Sequence, residues 1–189
     1  AGGRERDVLP TTLIGERFEI VRLAGSGGMG EVYRARDRTS GELVALKVLA
    51  GGRAAEHARF VREAEVLAGL RHPGIVRYVA HGATDQGRLF LAMEWLEGED
   101  LGARLAREPL AIADAITVVR TAAEALAIAH RQGIVHRDVK PANVFLVGGD
   151  VARAKVLDFG IAHLGRHVAS QTATGVVLGT PEYMAPEQA

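Results

Sequence analysis

The chain contains a cluster of glycines with strand-like sequence on both sides. The cluster runs Gly25-Ser26-Gly27-Gly28-Met29-Gly30. Residues Phe18 to Leu23 before it and Val32 to Arg36 after it have the composition and alternation of strands. A third such run, Leu43 to Leu49, follows a turn at Thr39-Ser40-Gly41. The pattern predicts a three-stranded antiparallel meander with the glycines between its first two strands.

The spacing G-x-G-x-x-G occurs in more than one class of nucleotide-binding loop. Dinucleotide-binding Rossmann units share it, but their loop opens a helix. Here the glycines are followed by a strand-like run that continues into a hairpin. Glycines between two strands let backbone N–H groups approach phosphate oxygens without a Cβ in the way. The cluster therefore predicts a phosphate-binding loop, with a merely flexible hairpin as the alternative.

The rest of the first half continues as one helix and two strands. Residues 54–70 have helical spacing, with an apolar stripe formed by Phe60, Ala64, Leu67 and Leu70. Strand patterns follow at Ile75 to His81 and Arg88 to Trp95. We therefore expect a flexible leader at residues 1–16 and a part with five antiparallel strands and one helix at residues 17–97.

The second half, residues 98–189, has mainly helical spacing. It predicts a short helix from Asp100 to Arg107 and a long one from Ile112 to Arg131, which Gly133 ends. The inner stripe of the long helix is predicted to be Ile112, Ile116, Val119, Ala123 and Leu126. A β-rich part thus precedes an α-rich part, with the hinge near Glu94 to Gly98.

A charged loop follows the long helix. Its sequence is His136-Arg137-Asp138-Val139-Lys140-Pro141-Ala142-Asn143, directly before the apolar run Val144 to Val147. Pro141 cannot continue a helix or donate a backbone hydrogen bond. An ordinary charged turn would explain any one of these residues, but the combination of carboxylate, amide and cations beside apolar sequence indicates a loop that binds a ligand or carries out chemistry.

Lys47 lies inside an apolar strand, between Leu46 and Val48. An unpaired ammonium group there would be costly, so the lysine needs an anionic partner. Helical phase places Glu63 on the apolar stripe of the predicted helix, which makes it the candidate. The alternative is a lysine whose charged end reaches solvent and an exposed glutamate.

Composition narrows the classes of partner. Basic and acidic residues number 23 each, so the formal net charge is zero and gives no reason to expect nucleic acid or an anionic membrane as a partner. Cysteine is absent, which excludes disulfides and thiolate metal sites. No apolar run has the length of a membrane span, and the N-terminus lacks a signal-peptide core. These features favour a soluble, cytoplasmic chain.

Together, these motifs resemble those of the eukaryotic-like protein kinases, and closely those of the bacterial serine/threonine kinases, from Phe18 to the chain end. The motifs include the glycine loop, Lys47, Glu63, the charged loop, Asp158-Phe159-Gly160 and Ala185-Pro186-Glu187. The resemblance implies an α+β, two-lobed kinase fold with a complete β-rich lobe and an incomplete helical lobe. It also implies ATP and Mg²⁺ as cofactors and protein hydroxyls as substrates.

Roles in binding ATP follow from the resemblance. It implies that the glycine loop covers the phosphates, that Lys47 contacts them while paired with Glu63, and that Asp100 contacts the ribose. The adenine slot and hinge would be formed by Ala24, Val32, Ala45, Met93, Glu94, Leu96 and Phe145. Ala24 departs from the larger aliphatic residue usual at its position, which should loosen the adenine floor slightly.

The resemblance also implies the catalytic roles. Asp138 would accept or orient the hydroxyl proton, and Asn143 with Asp158 would hold Mg²⁺ through hard oxygen ligands. Lys140 would neutralise charge on the transferring phosphoryl group, and Thr180 would bond to the catalytic loop. Lys140 and the run Gly179-Thr180-Pro181-Glu182-Tyr183 are similar to those of serine/threonine rather than tyrosine kinases.

Arg137 beside Asp138 is similar to kinases that phosphorylation of the activation loop switches on. Thr172 and Thr174 match the usual autophosphorylation positions of bacterial relatives, which suggests self-association for reaction in trans; the alternative is a solvated threonine-rich loop.

Two functions remain open at this stage, an active serine/threonine kinase domain and a nucleotide-binding pseudokinase that acts as a regulatory module. We expect the chain to be a fragment of a longer protein, because it begins at Ala1 and ends just after Glu187. We further expect it to be poorly stable and weakly active in isolation, with part of the long helix's apolar stripe exposed.

Overall fold

The computed structural model describes residues 12–27, 30–50, 54–159 and 181–183. Its first part is a six-stranded antiparallel sheet with strand order β1-β2-β3-β4-β6-β5. One helix, α1 (Ala54–Gly69), lies between β4 and β5 in the chain. The strands are β1 (Leu13–Ile14), β2 (Phe18–Gly27), β3 (Gly30–Asp37), β4 (Leu43–Leu49), β5 (Tyr78–Ala83) and β6 (Leu89–Glu94).

The sheet has one strand more than the five predicted. Leu13 and Ile14 pair with Glu19 and Phe18 of β2, although they fall in the predicted flexible leader. The Ile20 amide also donates to the Thr12 carbonyl oxygen at 2.9 Å, which extends the pairing. Two apolar residues are too few to show strand alternation, so this strand could not be predicted from its pattern.

The core of the first part lies on one face of the sheet and beneath α1. Phe18 and Phe90 meet edge to face, with 5.6 Å between ring centroids, among buried residues of β3, β4 and β6. On α1, Phe60 and Ala64 are fully buried against Leu49 and Leu91. This confirms the predicted apolar stripe and holds α1 against the strand that carries Lys47.

The second part contains a small sheet that was not predicted. Its antiparallel strands are β7 (Gly98–Asp100), β8 (Val144–Val147) and β9 (Ala154–Val156), with β8 in the middle. The helices are α2 (Leu101–Arg107) and α3 (Ile112–Arg131), and α3 has the predicted bounds. Strands of three or four residues are too short for periodicity to identify them.

The predicted inner stripe of α3 is wrong. Ile112, Ile116 and Val119 are 80%, 62% and 67% exposed, and Ala123 is exposed as well. The helix instead buries Val118, Ala125 and Ala129, and only Leu126 of the predicted stripe packs on the core. Helical spacing fits both faces of α3, and the face that packs on the core carries more alanine than the one predicted. The expectation that part of the stripe would be exposed agrees with the structure.

Short contacts join the two parts. The Val76 amide donates to the Val156 carbonyl oxygen at 3.1 Å, and the Val156 amide donates to the Gly74 carbonyl oxygen at 2.8 Å. These bonds fix β9 beside the segment that enters β5. Within the described ranges, the helices are too short or too polar to cross a membrane.

Candidate active site

A cavity of about 380 Å³ lies between the two parts, and we call it the interlobe cavity. Its walls come from β2, β3, β4 and β6 on one side and from β8 and the segment after β9 on the other. The wall is mostly apolar, which suits a planar heteroaromatic ligand. It includes these residues singled out from the sequence: Ala24, Gly25, Val32, Ala45, Lys47, Met93, Glu94, Leu96, Phe145 and Asp158.

Other predicted residues lie differently. Ser26 and Gly27 belong to the exposed end of β2 and are not part of the cavity wall. Asp100 is not part of it either; its Oδ1 accepts from the Ala103 amide at 2.9 Å and caps α2. The positions of Gly28, Met29, Thr172, Thr174 and Thr180 lie outside the described residues.

The glycines near the cavity serve different purposes. Gly30 has φ 129°, and a Cβ there would collide with the Val48 carbonyl oxygen, so β3 can pair closely with β4 only with glycine at this position. At Gly25 and Gly27 a Cβ would have no neighbouring atom within 4 Å. Glycine at these two positions is therefore not required by packing within the described residues and leaves space beside the backbone.

Lys47 has the anionic partner that its burial requires, and the partner that the structure shows is Asp158, whereas a pairing with Glu63 stays a prediction. The ammonium group is 2.7 Å from Asp158 Oδ2, and Lys47 is only 6% exposed. Asp158 has φ 53°, a sharp change of direction just after β9. Glu63 is half-buried and lines a second cavity, of about 260 Å³, with Arg137 and Phe159. Helical phase indicated which face of α1 carries Glu63, but it could not show that the segment after β9 supplies a carboxylate to Lys47.

The charged loop is held together by its own side chains. Asp138 Oδ2 lies 2.9 Å from Lys140 Nζ and accepts from Asn143 Nδ2 at 3.1 Å. Asn143 Nδ2 also donates to the Asp138 carbonyl oxygen at 2.7 Å. Arg137 has φ 64°, so the chain turns sharply beside the aspartate. The structure thus brings Asp138, Lys140 and Asn143 together as one hydrogen-bonded group.

His136 anchors this group, a role that the sequence did not indicate. The ring is 2% exposed; Nε2 donates to the Leu157 carbonyl oxygen at 2.7 Å, and Nδ1 accepts from the Asp138 amide at 3.3 Å. Burial lowers the pKa of His136, which favours the neutral ring that can make both bonds. The Leu157 amide donates to the Asn143 carbonyl oxygen at 2.9 Å. These bonds fix the charged loop beside the residue that precedes Asp158.

Glu94 also has an interaction that sequence reasoning missed. Its Oε1 accepts from Lys155 Nζ at 2.6 Å and from the Arg77 amide at 2.8 Å. Lys155 belongs to β9, so this ion pair joins the end of β6 to the strand that leads to Asp158. A lysine in a three-residue strand gives no pattern from which the contact could be predicted.

The donor groups fit a cation that is shared with a polyphosphate. Within the described ranges, no three His, Cys, Asp or Glu side chains form a metal cluster. The Asp158 carboxylate and the Asn143 amide oxygen are hard ligands, and Mg²⁺ is commonly held by one or two carboxylates together with substrate phosphates and water. This donor set therefore fits a metal held jointly with a ligand rather than by protein alone.

Comparison with protein families supports this interpretation of the site. Residues 18–189 match the family described as protein kinase domain. The chain belongs to the protein kinase family. Membership confirms the predicted α+β kinase fold, and the family uses ATP and a divalent metal in general.

Named kinases of bacteria are among its relatives. The chain is 44% identical over 179 residues to the serine/threonine-protein kinase pkn2 of Myxococcus xanthus, covering 92% of this chain and 21% of that protein. It is 45% identical over 177 residues to PknJ of Mycobacterium tuberculosis, covering 90% and 29%. The chain thus spans less than a third of the length of each of these two kinases.

Solved structures have a similar fold. The PknI kinase domain of Mycobacterium tuberculosis is 37% identical with a TM-score of 0.70, and the match covers 80% of this chain and 62% of that one. Rad53, solved in complex with AMP-PNP, is 31% identical with a TM-score of 0.68, and the match covers 77% and 38%.

Proposed function

We propose that this kinase chain transfers the γ-phosphoryl group of ATP to serine or threonine hydroxyls of proteins, with Mg²⁺ as the metal. The observation that carries the proposal is the interlobe cavity, which has an apolar wall and the Lys47–Asp158 ion pair as part of its lining. The named serine/threonine kinases among the relatives and the ATP analogue bound to Rad53 support it. ATP as a substrate also implies a cytoplasmic location.

The apolar wall would take the adenine ring, and the hinge backbone from Glu94 to Leu96 would offer hydrogen bonds to its edge. The backbone at Gly25 has room beside it for phosphate oxygens. Lys47 would bind the same phosphates by exchanging its bond to Asp158 for bonds to phosphate oxygen. The released Asp158 carboxylate, with the Asn143 amide oxygen, would hold Mg²⁺, which neutralises phosphate charge when bound.

The chemical step needs the charged loop. The acceptor hydroxyl oxygen bonds to the γ-phosphorus while the bond from that phosphorus to the β,γ-bridging oxygen breaks, and ADP leaves. Asp138 orients the hydroxyl and takes its proton, and Lys140, already 2.9 Å from the Asp138 carboxylate, neutralises charge on the transferring group. Most of the acceleration would come from positioning and charge neutralisation. Glu63 and Thr180 would support the site from α1 and from the segment before Pro181.

Replacement of Asp138 tests the mechanism. We expect Asp138→Asn to lower phosphotransfer by at least about a hundredfold, because general-base contributions are typically 10²–10⁴-fold. ATP affinity should stay close to that of the wild type, since Asp138 is not part of the cavity wall. Asp150→Asn is a matched control, because Asp150 Oδ1 accepts from the Ala152 amide in a turn that is not part of this wall. Equal, measurable phosphotransfer by wild type and Asp138→Asn would remove Asp138 from the mechanism, and no phosphotransfer by either protein would favour a pseudokinase.

Autophosphorylation is the second part of the proposal. Thr172 and Thr174 are the expected acceptors, and Arg137 would pair with the phosphate in a charge-assisted bond. Incubation of active protein with ATP and Mg²⁺, followed by phosphosite mapping, should find phosphate on one or both threonines. A rate per molecule that rises with protein concentration would indicate reaction between two copies. Phosphate found only outside residues 165–180 would contradict this assignment.

A further inference from the structure

Trp95 lies where three segments meet at the mouth of the interlobe cavity. The guanidinium groups of Arg22 and Arg34 lie over its ring, 5.7 Å and 5.3 Å from the centroid. The indole Nε1 donates to Glu97 Oε1 at 2.7 Å, and Arg34 donates to the same oxygen at 3.3 Å. Both Arg22 and Trp95 belong to the cavity wall. The ring therefore joins β2 and β3 to the segment that follows β6.

The two arginines form an unusual pair in the sheet. Arg22 of β2 lies directly opposite Arg34 of β3 in the strand register. Like charges in that position destabilise a sheet. Here the negative face of the indole ring and the Glu97 carboxylate offset the repulsion. Arg34 Nε is buried without a hydrogen-bond partner among the described residues.

Apart from its pairing with β3, the outer part of β2 has few packing contacts. Val21 and Leu23 are 49% and 51% exposed, and every residue of β2 from Val21 onward is exposed. The register with β3 also shifts twice, once on each side of Arg22. Gly25, which borders the cavity, comes three residues after Arg22. The contact with Trp95 thus stabilises the weakly packed part of β2, from Val21 onward, that leads into the glycine cluster.

We propose that Trp95 is a positioning residue that holds β2 and β3, the strands that carry Gly25, Gly27 and Gly30, beside the phosphates of the bound nucleotide. The inference rests on the proposed function, because it assigns the cavity to ATP. The ring does not need to touch the phosphates. It holds the two strands that carry the glycines at a set distance from the adenine hinge, so its loss should weaken binding of the phosphate portion more than that of the nucleoside.

Comparing the affinities for ATP and for adenosine separates an effect on the phosphate portion from an effect on the nucleoside. In the full chain, we expect Trp95→Leu to raise the Kd for ATP about fivefold, the size of effect that two cation–π contacts allow. The Kd for adenosine, which has no phosphates, should change less than about twofold on the same reasoning. Arg22→Gln removes one guanidinium from an exposed position and should give a smaller change of the same kind.

Arg36→Gln is the matched control. Arg36 is exposed on β3 two residues after Arg34, and its side chain donates to the Gly41 carbonyl oxygen instead of contacting Trp95. The Arg36→Gln substitution should leave the Kd values for ATP and for adenosine unchanged. Equal weakening of ATP and adenosine binding in Trp95→Leu would overturn the inference, as would no change in either. If the wild type binds neither ligand, the proposed function itself fails, and the inference fails with it.

Discussion

The Asp37 carboxylate is buried at the end of β3 and held by one arginine. Arg17 Nε and Nη2 donate to its two oxygens at 2.8 Å and 2.7 Å, and the Thr39 amide donates to Oδ1 at 2.9 Å. The bond from Arg17 is the main cause that lowers the pKa of Asp37 far below its usual range. The pair fixes the turn between β1 and β2 against the end of β3 and thereby defines the edge of the sheet.

We expect Asp37→Asn to lower the free energy of unfolding by about 2 kcal/mol at pH 7. This is below the roughly 3–5 kcal/mol for breaking a fully buried pair, because the Arg17 side chain remains 36% exposed. The folded-state pKa lies below the unfolded value of about 4, so the stabilisation is present above pH 4 and is lost as the pH falls. When thermal unfolding is measured from pH 7 down to pH 3, the Tm of the wild type should approach the Tm of Asp37→Asn. A Tm difference independent of pH would contradict this account.

At the residue scale, a single strand or loop is enough to place some of the predicted side chains. Ala24, Val32, Ala45 and Phe145 were expected in the adenine slot; all four line the interlobe cavity, and their contact with adenine stays a prediction. Contacts between distant parts of the chain could not be predicted in this way. Lys47 and Asp158 are 111 residues apart, and only the folded path of β9 brings the aspartate to the lysine.

At the scale of elements, α3 carries two adjacent valines in opposite environments. Val118 is 2% exposed and packs with Val144 and Leu146, whereas Val119 is 67% exposed. We expect Val118→Ala to cost about 2 kcal/mol, and Val119→Ala less than about 0.5 kcal/mol. Chemical denaturation of the two variants measures the difference directly. A larger loss from Val119→Ala would mean that the helix has the phase first predicted from the sequence.

The accuracy of element prediction followed length and local pattern. β4 and α3 were predicted with their observed bounds, β4 from an apolar run that follows a turn and α3 from twenty residues of helical spacing that end before Gly133. β1 and the sheet of β7, β8 and β9 were missed, since strands of two to four residues have no measurable period. The face of α3 was wrong because the buried surface of that helix consists largely of alanine, which sequence hydrophobicity ranks below isoleucine.

At the scale of the whole molecule, ion pairs and hydrogen bonds between the two parts hold the residues of the candidate site together. The Glu94–Lys155 pair, the Lys47–Asp158 pair and the backbone bonds of Val76 and Val156 all cross from the first part to the second. The interlobe cavity lies between these contacts, so its shape depends on the relative position of both parts.

The most direct test of the account is transfer of label from γ-labelled ATP in the presence of Mg²⁺ to a general protein substrate, with the labelled amino acids then identified. We expect the wild type to label serine or threonine, and Lys47→Met to lower the rate at least about a hundredfold, because charge stabilisation of this kind is worth 10²–10³. Arg107→Met, which breaks an exposed pair with Glu99, should not change the rate. Full label transfer by Lys47→Met, or label on tyrosine alone, would contradict the account.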